Sequence, residues 1–229
     1  MSTPQKDDRP TMATIDELNK HVIAKSNEIY SSQASKHGAD ARAVLCDRST
    51  RLHQRFAEIA KFIPLDDSRS RVLEVGCGHG ELYKYLAAHG YRGRYVGTDI
   101  NGDLLAVARQ RFKAIDVREV DIVTTDLGER FDYVVLSGVF NIACGQTVEW
   151  VQQFLQRMFD HAEQAIVFNA VSTYVTYRQP EMFYIDPVEM LRFCIEKLSR
   201  RVTLTHHNLS FNYTVCVYKQ EEPGLPCEE

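Results

Sequence analysis

The apolar positions of this chain change their period near residue 70. Before that point they recur three and four apart. Ile15, Leu18, Val22 and Ile29 share one face of a helix predicted to begin near Thr14. Leu52, Phe56, Ile59, Ala60 and Ile63 share one face of a second helix over residues 49–63. The polar stretch SSQASKHGADAR between them reads as a loop. From Arg71 onward, short apolar runs alternate with helical stripes. Strands are predicted over residues 71–75, 94–98, 117–122, 131–137 and 164–171, and helices over 80–89, 103–112 and 147–162. The last of these helices carries Val148, Val151, Phe154, Leu155, Met158 and Phe159 as its apolar stripe. A further helix opens at Asp186-Pro187-Val188-Glu189. There the Asp side chain can accept from free N–H groups, and proline suits the first turn. Two final strands, 201–207 and 212–218, are joined by a short turn and so pair antiparallel.

Alternating strand and helix implies a parallel sheet covered on both faces. The expected fold class is therefore α/β: a doubly wound, Rossmann-like sheet with a terminal antiparallel β-hairpin and an N-terminal helical cap. The expected divisions are a disordered leader at 1–13, the cap at 14–65, the sheet domain at 66–219 and a flexible acidic tail at 220–229.

Composition narrows the function. The chain has 229 residues, 44% hydrophobic and 25% charged, an ordinary globular balance. Its net charge of -4 lacks the basic footprint with which proteins grip phosphates, so nucleic acid is not the expected partner. No apolar stretch approaches the roughly 20 residues that span a bilayer, and the polar N-terminus lacks the apolar core of a secretory signal. Six scattered cysteines form no CxxC pair and no zinc-type cluster with histidine. No metal is expected, and buried reduced thiols suit the cytoplasm.

The chemistry concentrates in VLEVGCGHGEL, residues 72–82. An apolar strand runs straight into Gly76, Cys77, Gly78, His79 and Gly80, and a helix follows. Glycines there let the backbone turn tightly and let a ligand approach the main chain. YVGTDI then places Asp99 at the end of the second strand, about 20 residues on, where an acidic residue accepts hydrogen bonds from ribose hydroxyls. The spacing is GxGxG, not the GxGxxG of NAD-binding loops.

With Glu74 two residues before the loop, EVGCGHG followed by GTDI closely resembles the class I S-adenosylmethionine (SAM)-dependent methyltransferases, over residues 71–218. The resemblance implies SAM as cofactor and a seven-stranded sheet with the last strand inserted antiparallel. It implies that Glu74, Gly76, Cys77, Gly78 and Gly80 surround the methionine part of SAM. Asp99 is implied as the ribose anchor, with Ile100 on the adenine. Asp121 and Ile122 fall near the adenine amino group, with Asp126 as a rival for the acidic role. Ser137 and Gly138 fall beneath the sulfonium. His79 is expected to contribute backbone contacts only.

The acceptor belongs near the ends of the fourth and fifth strands. The fourth ends in SGVFN, which lacks the N/D-P-P-Y/F segment common in enzymes of this family that methylate bases. The connection after the fifth is long and rich in tyrosine, and long loops at that edge often bind. Expected substrate contacts are Asn169, Ser172, Tyr174, Arg178 and Tyr184; Tyr30 and Arg55 from the cap join them or fold over the SAM carboxylate, and Arg51 reads rather as solvated helix surface. Asn141, Tyr177 and His207 are the catalytic candidates; His206 and His207 face opposite sides of their strand, so one of them could reach the acceptor as a base.

These readings predict methyl transfer by in-line displacement to an O, N or S nucleophile of a small molecule, by a monomer or homodimer. The rival readings are a methyltransferase acting on a macromolecule, a SAM-binding module without catalysis, and an NAD-dependent oxidoreductase. The last is weakened by GxGxG and the terminal hairpin.

Overall fold

A computed structural model describes residues 12–46, 49–209 and 211–219. The expected leader up to residue 11 and the expected tail lie outside the described residues. Seven strands form one sheet in the order β3-β2-β1-β4-β5-β7-β6. They are β1 (Arg71–Val75), β2 (Arg94–Asp99), β3 (Asp116–Glu119), β4 (Phe131–Leu136), β5 (Ala162–Val171), β6 (Val202–Thr205) and β7 (Asn212–Tyr218). β1 to β5 are parallel, and β7 lies antiparallel between β5 and β6. The sheet agrees with the expected class and strand number.

The helices are α1 (Met12–His37), α2 (Ser49–Ala60), α3 (Glu81–Ala88), α4 (Gly102–Arg111), α5 (Val148–His161) and α6 (Pro187–Phe193). A 3₁₀ turn at Ala41–Val44 joins α1 to α2, and α6 runs on into a π-helical turn at Cys194–Leu198. Alternate strand residues face opposite sides, as the pleat requires. Leu73, Val96, Val134, Leu136, Phe168 and Val215 pack against the stripe of α5. Val72, Tyr95, Val135, Val167 and Cys216 pack against α2 and α3.

Local capping fixes the helix starts. Asn101 Oδ1 accepts from Leu104 N at 3.0 Å, Thr147 Oγ1 from Trp150 N at 3.3 Å, and Asp186 Oδ1 from Val188 N at 2.7 Å. One expectation fails: SSQASKH is not loop but the last turns of α1. Tertiary packing overrides its polar sequence, because Ala34 buries against Ala43 and Leu104, and Ser31 bonds to Asn101.

The strand order reverses between β1 and β4. Open α/β sheets bind ligands outside the carboxyl ends of the strands at such a point. Val75 pairs with Thr98 on one side and Leu136 on the other, so the Gly76, Asp99 and Ser137 turns leave the sheet side by side.

Candidate active site

The glycine loop is drawn against the end of β2. Gly76 N and Cys77 N both donate to Thr98 O, at 2.7 and 3.0 Å. Gly78 N donates to Asp99 Oδ2 at 2.7 Å, and Asn101 N donates to Asp99 Oδ1 at 2.9 Å. Loop and carboxylate therefore form one cradle. Gly76 takes φ +72°, and a Cβ there would lie 2.2 Å from Val139 Cγ2, so only glycine fits. Burial raises the Asp99 carboxyl above its usual range, opposed by these N–H groups. Glu74, buried beneath the loop, accepts from the Tyr95 hydroxyl, and burial raises it well above the ordinary value.

His79 departs from its expected role. Its side chain is fully buried, and Nδ1 accepts from Arg111 at 2.7 Å. Nε2 must then carry the proton, and it donates to Asp40 O at 3.1 Å. The ring thus ties the glycine loop to the turn after α1 and to the end of α4. Burial, and then the Arg111 charge, lower its pKa.

Above the cradle lies a cavity of about 1350 Å³, its open mouth included. Its lining runs without a break from the glycine loop and Asp99 to the turn after β4, so one space joins the cofactor cradle to the ground beside Gly138. Helix α1 crosses the cavity and is pinned at two places. Asn19 Nδ2 donates to Asp121 Oδ2 at 2.8 Å while Asn19 Oδ1 accepts from Trp150 Nε1 at 3.0 Å. Asn101 Nδ2 donates to Asn27 Oδ1 at 3.2 Å and to Ser31 Oγ at 3.0 Å.

At the turn after β4, Gly138 N donates to Asn169 Oδ1 at 3.1 Å, and Asn169 Nδ2 donates to Ser137 Oγ at 3.2 Å. Arg55 and Asn141 approach Gly138 from the cavity side.

The structure brings many of the expected residues together. Glu74, Gly76, Cys77, Gly78, Asp99, Ile100, Asp121, Ile122, Ser137 and Gly138 line this cavity, with Tyr30, Arg55 and Asn141. Gly80 packs beneath the loop against Phe112. Asp121 lines the cavity, whereas its rival Asp126 is exposed and pairs with Arg130.

The long connection after β5 does not reach the cavity as expected. Residues 181–183 pair with the turn after β4, through Ala143 N to Glu181 O and Phe183 N to Asn141 O, both 2.9 Å. Ile185 N returns to Val171 O. Residues 173–180 are therefore pushed outward. Tyr177 is 72% exposed, Arg178 stacks over Tyr184, and Tyr184 Oη accepts from Gln179 N. Tyr174 sits on the surface beside His206. His207 is exposed beyond the end of β6. Tyr177 and His207 thus stand away from the cavity that holds Asn141. Ser172 is buried and accepts from Tyr174 N. Met182 is the residue of this connection that lines the cavity.

Asn19, Asn101 and Trp150 were missed. Asn19 had a signal: a polar residue at the spacing of Val22, Ile23, Ser26 and Tyr30, on the face that α1 turns inward.

A methyltransferase-domain family model matches residues 73–164, from β1 to the start of β5. A protein of Mycobacterium tuberculosis named as a methyltransferase is 26% identical over 152 residues, covering 64% of this chain and 91% of that one. Among solved structures, magnesium protoporphyrin IX methyltransferase of Synechocystis PCC 6803 with bound S-adenosylhomocysteine has a TM-score of 0.66 at 12% identity, covering 87% of this chain and 100% of that one. N-methyltransferase NodS of Bradyrhizobium japonicum WM9, also with bound S-adenosylhomocysteine, has a TM-score of 0.64 at 17% identity, covering 84% and 99%. The fold and site define a nucleoside-binding α/β protein. With these matches, residues 73–164 carry a SAM-dependent methyltransferase domain, in a fold shared with the solved structures.

The residues fit that cofactor. The glycine loop brings its backbone to the cavity wall, and Asp99 offers carboxylate lone pairs beside it. Ile100 and Ile122 offer apolar faces in the same cavity. When bound, SAM supplies a methyl group already activated by its sulfonium.

Proposed function

We propose that this enzyme methylates a small molecule held between α1, α2 and the turn after β4. The observation that carries the proposal is α1 itself, pinned across the cavity by Asn19 and by Asn27 and Ser31. A roofed cavity admits a small acceptor more readily than a chain of protein or nucleic acid. The relative named for magnesium protoporphyrin IX supports the same reading.

In this reading Asp99 and the glycine loop orient the cofactor, and Asp121 and Ile122 meet its base. Asn169 holds the Ser137–Gly138 turn from behind. Tyr30, Arg55 and Asn141 meet the acceptor. The chain's main contributions are alignment and exclusion of water. Burial raises the Tyr30 phenol and the Cys144 thiol, so both keep their protons at neutral pH and neither serves as a base. Among the described residues no helix is long and apolar enough to cross a membrane. We place the enzyme in the cytoplasm, on the strength of five buried free thiols.

Incubation with methyl-labelled SAM and a metabolite extract tests the proposal. The expected result is labelled product of low mass. Label found only in protein or RNA would reject it.

A further inference from the structure

Two buried polar atoms at the turn after β4 have no hydrogen-bond partner: Nε of Arg55 and Oδ1 of Asn141. Both side chains converge on Gly138. The Arg55 guanidinium lies 3.3 Å, and Asn141 Nδ2 3.4 Å, from the point where a Cβ on that glycine would stand. Among the described residues Arg55 makes no ion pair with a carboxylate; Cys46, to which it hydrogen-bonds, and Tyr30 are the groups that act on it. Burial lowers its pKa, yet a guanidinium stays charged in proteins. A buried charge without an ion partner is costly, so among the described residues the site is short of one anion, which a bound ligand can supply.

We propose that Arg55 and Asn141 bind the methyl acceptor through a carboxylate and a neighbouring hydroxyl or N–H group, which makes the acceptor a small hydroxy- or amino-carboxylic acid. This inference rests on the small-molecule reading above. The guanidinium presents parallel N–H donors matched to a carboxylate. Asn141 Oδ1 accepts from a donor beside that carboxylate. Tyr30 lines the same cavity and feels the Arg55 charge. Two sources of a carboxylate exist, the acceptor and the amino-acid end of the cofactor, whose cationic groups can face Glu74 and Asp99 in the same cavity; the parallel arm of the test separates them.

The test is calorimetry on the full chain saturated with S-adenosylhomocysteine. Salicylate, anthranilate and malate are titrated, each beside its neutral amide. At least one acid should bind tenfold or more tightly than its amide. Arg55→Met should abolish that preference and Arg55→Lys should keep part of it. Asn141→Ala should weaken the same acid while leaving its desoxy or desamino analogue unchanged. A parallel arm compares S-adenosylhomocysteine with methylthioadenosine, which lacks the amino-acid end; methylthioadenosine binding also reports that each variant is folded. If Arg55→Met weakens only S-adenosylhomocysteine, the guanidinium serves the cofactor and the inference falls. It falls too if no acid is preferred over its amide. Label from SAM reaching only macromolecules would instead reject the underlying reading.

Discussion

Asn19 and Asp121 are 102 residues apart in sequence and 2.8 Å apart in space. Their bond fastens α1 to the turn after β3, at the end of the cavity where we propose that adenine lies. Trp150, the one tryptophan in the sequence, donates to the same asparagine. Asn19→Ala removes both bonds, and a hydrogen bond to a charged group is worth about 1.5–3 kcal/mol. We expect S-adenosylhomocysteine to dissociate about tenfold or more faster from this variant, in line with that range. Trp150 emission should shift to the red as α1 loosens. Stopped-flow exchange and fluorescence measure the two effects. An unchanged dissociation rate would mean that α1 does not gate the cavity.

Asp99→Ala should weaken S-adenosylhomocysteine by about 1–3 kcal/mol, the range for leaving buried polar partners unmatched. In the proposed role the ionised carboxylate is the acceptor, and burial raises the Asp99 pKa. Affinity should therefore be highest above that raised pKa and fall as pH drops through it. The fall should begin at a higher pH than an ordinary aspartate would give. Calorimetry across the acidic range, with Asp99→Asn as the pH-insensitive reference, checks the sign.

Gly76→Ala tests the tight contact under the loop. An L-residue at φ +72° costs about 1–2 kcal/mol, and overpacking against Val139 adds about 1–3 kcal/mol. Adding Val139→Ala should recover the packing part and leave the backbone part. Denaturant unfolding of the single and double variants separates them. Full recovery in the double variant would show that backbone strain is negligible.

The sheet was legible because period-2 apolar runs and period-3.6 stripes alternate cleanly from Arg71 onward, and the cofactor loop because glycine spacing has a direct steric meaning. The last turns of α1 were not legible: their polar residues are helical through contacts with α4, which local sequence does not carry. Tyr174, Tyr177 and Arg178 looked functional from loop length and composition. Their direction is set by backbone pairing between residues 141–143 and 181–183, and no side-chain pattern announces that pairing. His79 looked passive because its value lies in Asp40 and Arg111, partners distant in sequence.

The buried His79 ring gives the fold an acid-side weakness. Neutral imidazole accepts from Arg111 and donates to Asp40; protonation breaks the first bond and sets two cations together. Its folded pKa is depressed below the ordinary histidine value by burial and by the Arg111 charge. The unfolded chain then binds a proton that the folded chain refuses. The stabilisation is complete above about pH 6.5 and is lost as pH falls toward the depressed value. His161 is shifted the same way by burial, so the total profile contains both. His79→Gln should flatten the profile below pH 6.5 relative to wild type in urea melts. An unchanged slope would assign the whole acid dependence to other groups.

Asn169 makes the last case, because it shapes the reacting end of the cavity from behind. Fully buried on β5, it accepts from Gly138 N and donates to Ser137 Oγ, so one amide holds both residues of the turn. Asn169→Ala orphans a backbone N–H and frees the turn on which Arg55 and Asn141 converge. The cost in stability should be about 1–3 kcal/mol for the unmatched donor. The Asp99 cradle lies on the other side of β1 and keeps its bonds, so S-adenosylhomocysteine affinity should change little. Misplacement of an aligned reactant can cost about 100-fold in rate, so kcat should carry the loss. Asn169→Asp retains the acceptor for Gly138 N and should rescue stability more than turnover. Equal losses of cofactor affinity and kcat would instead mean that the turn and the cradle move as one unit.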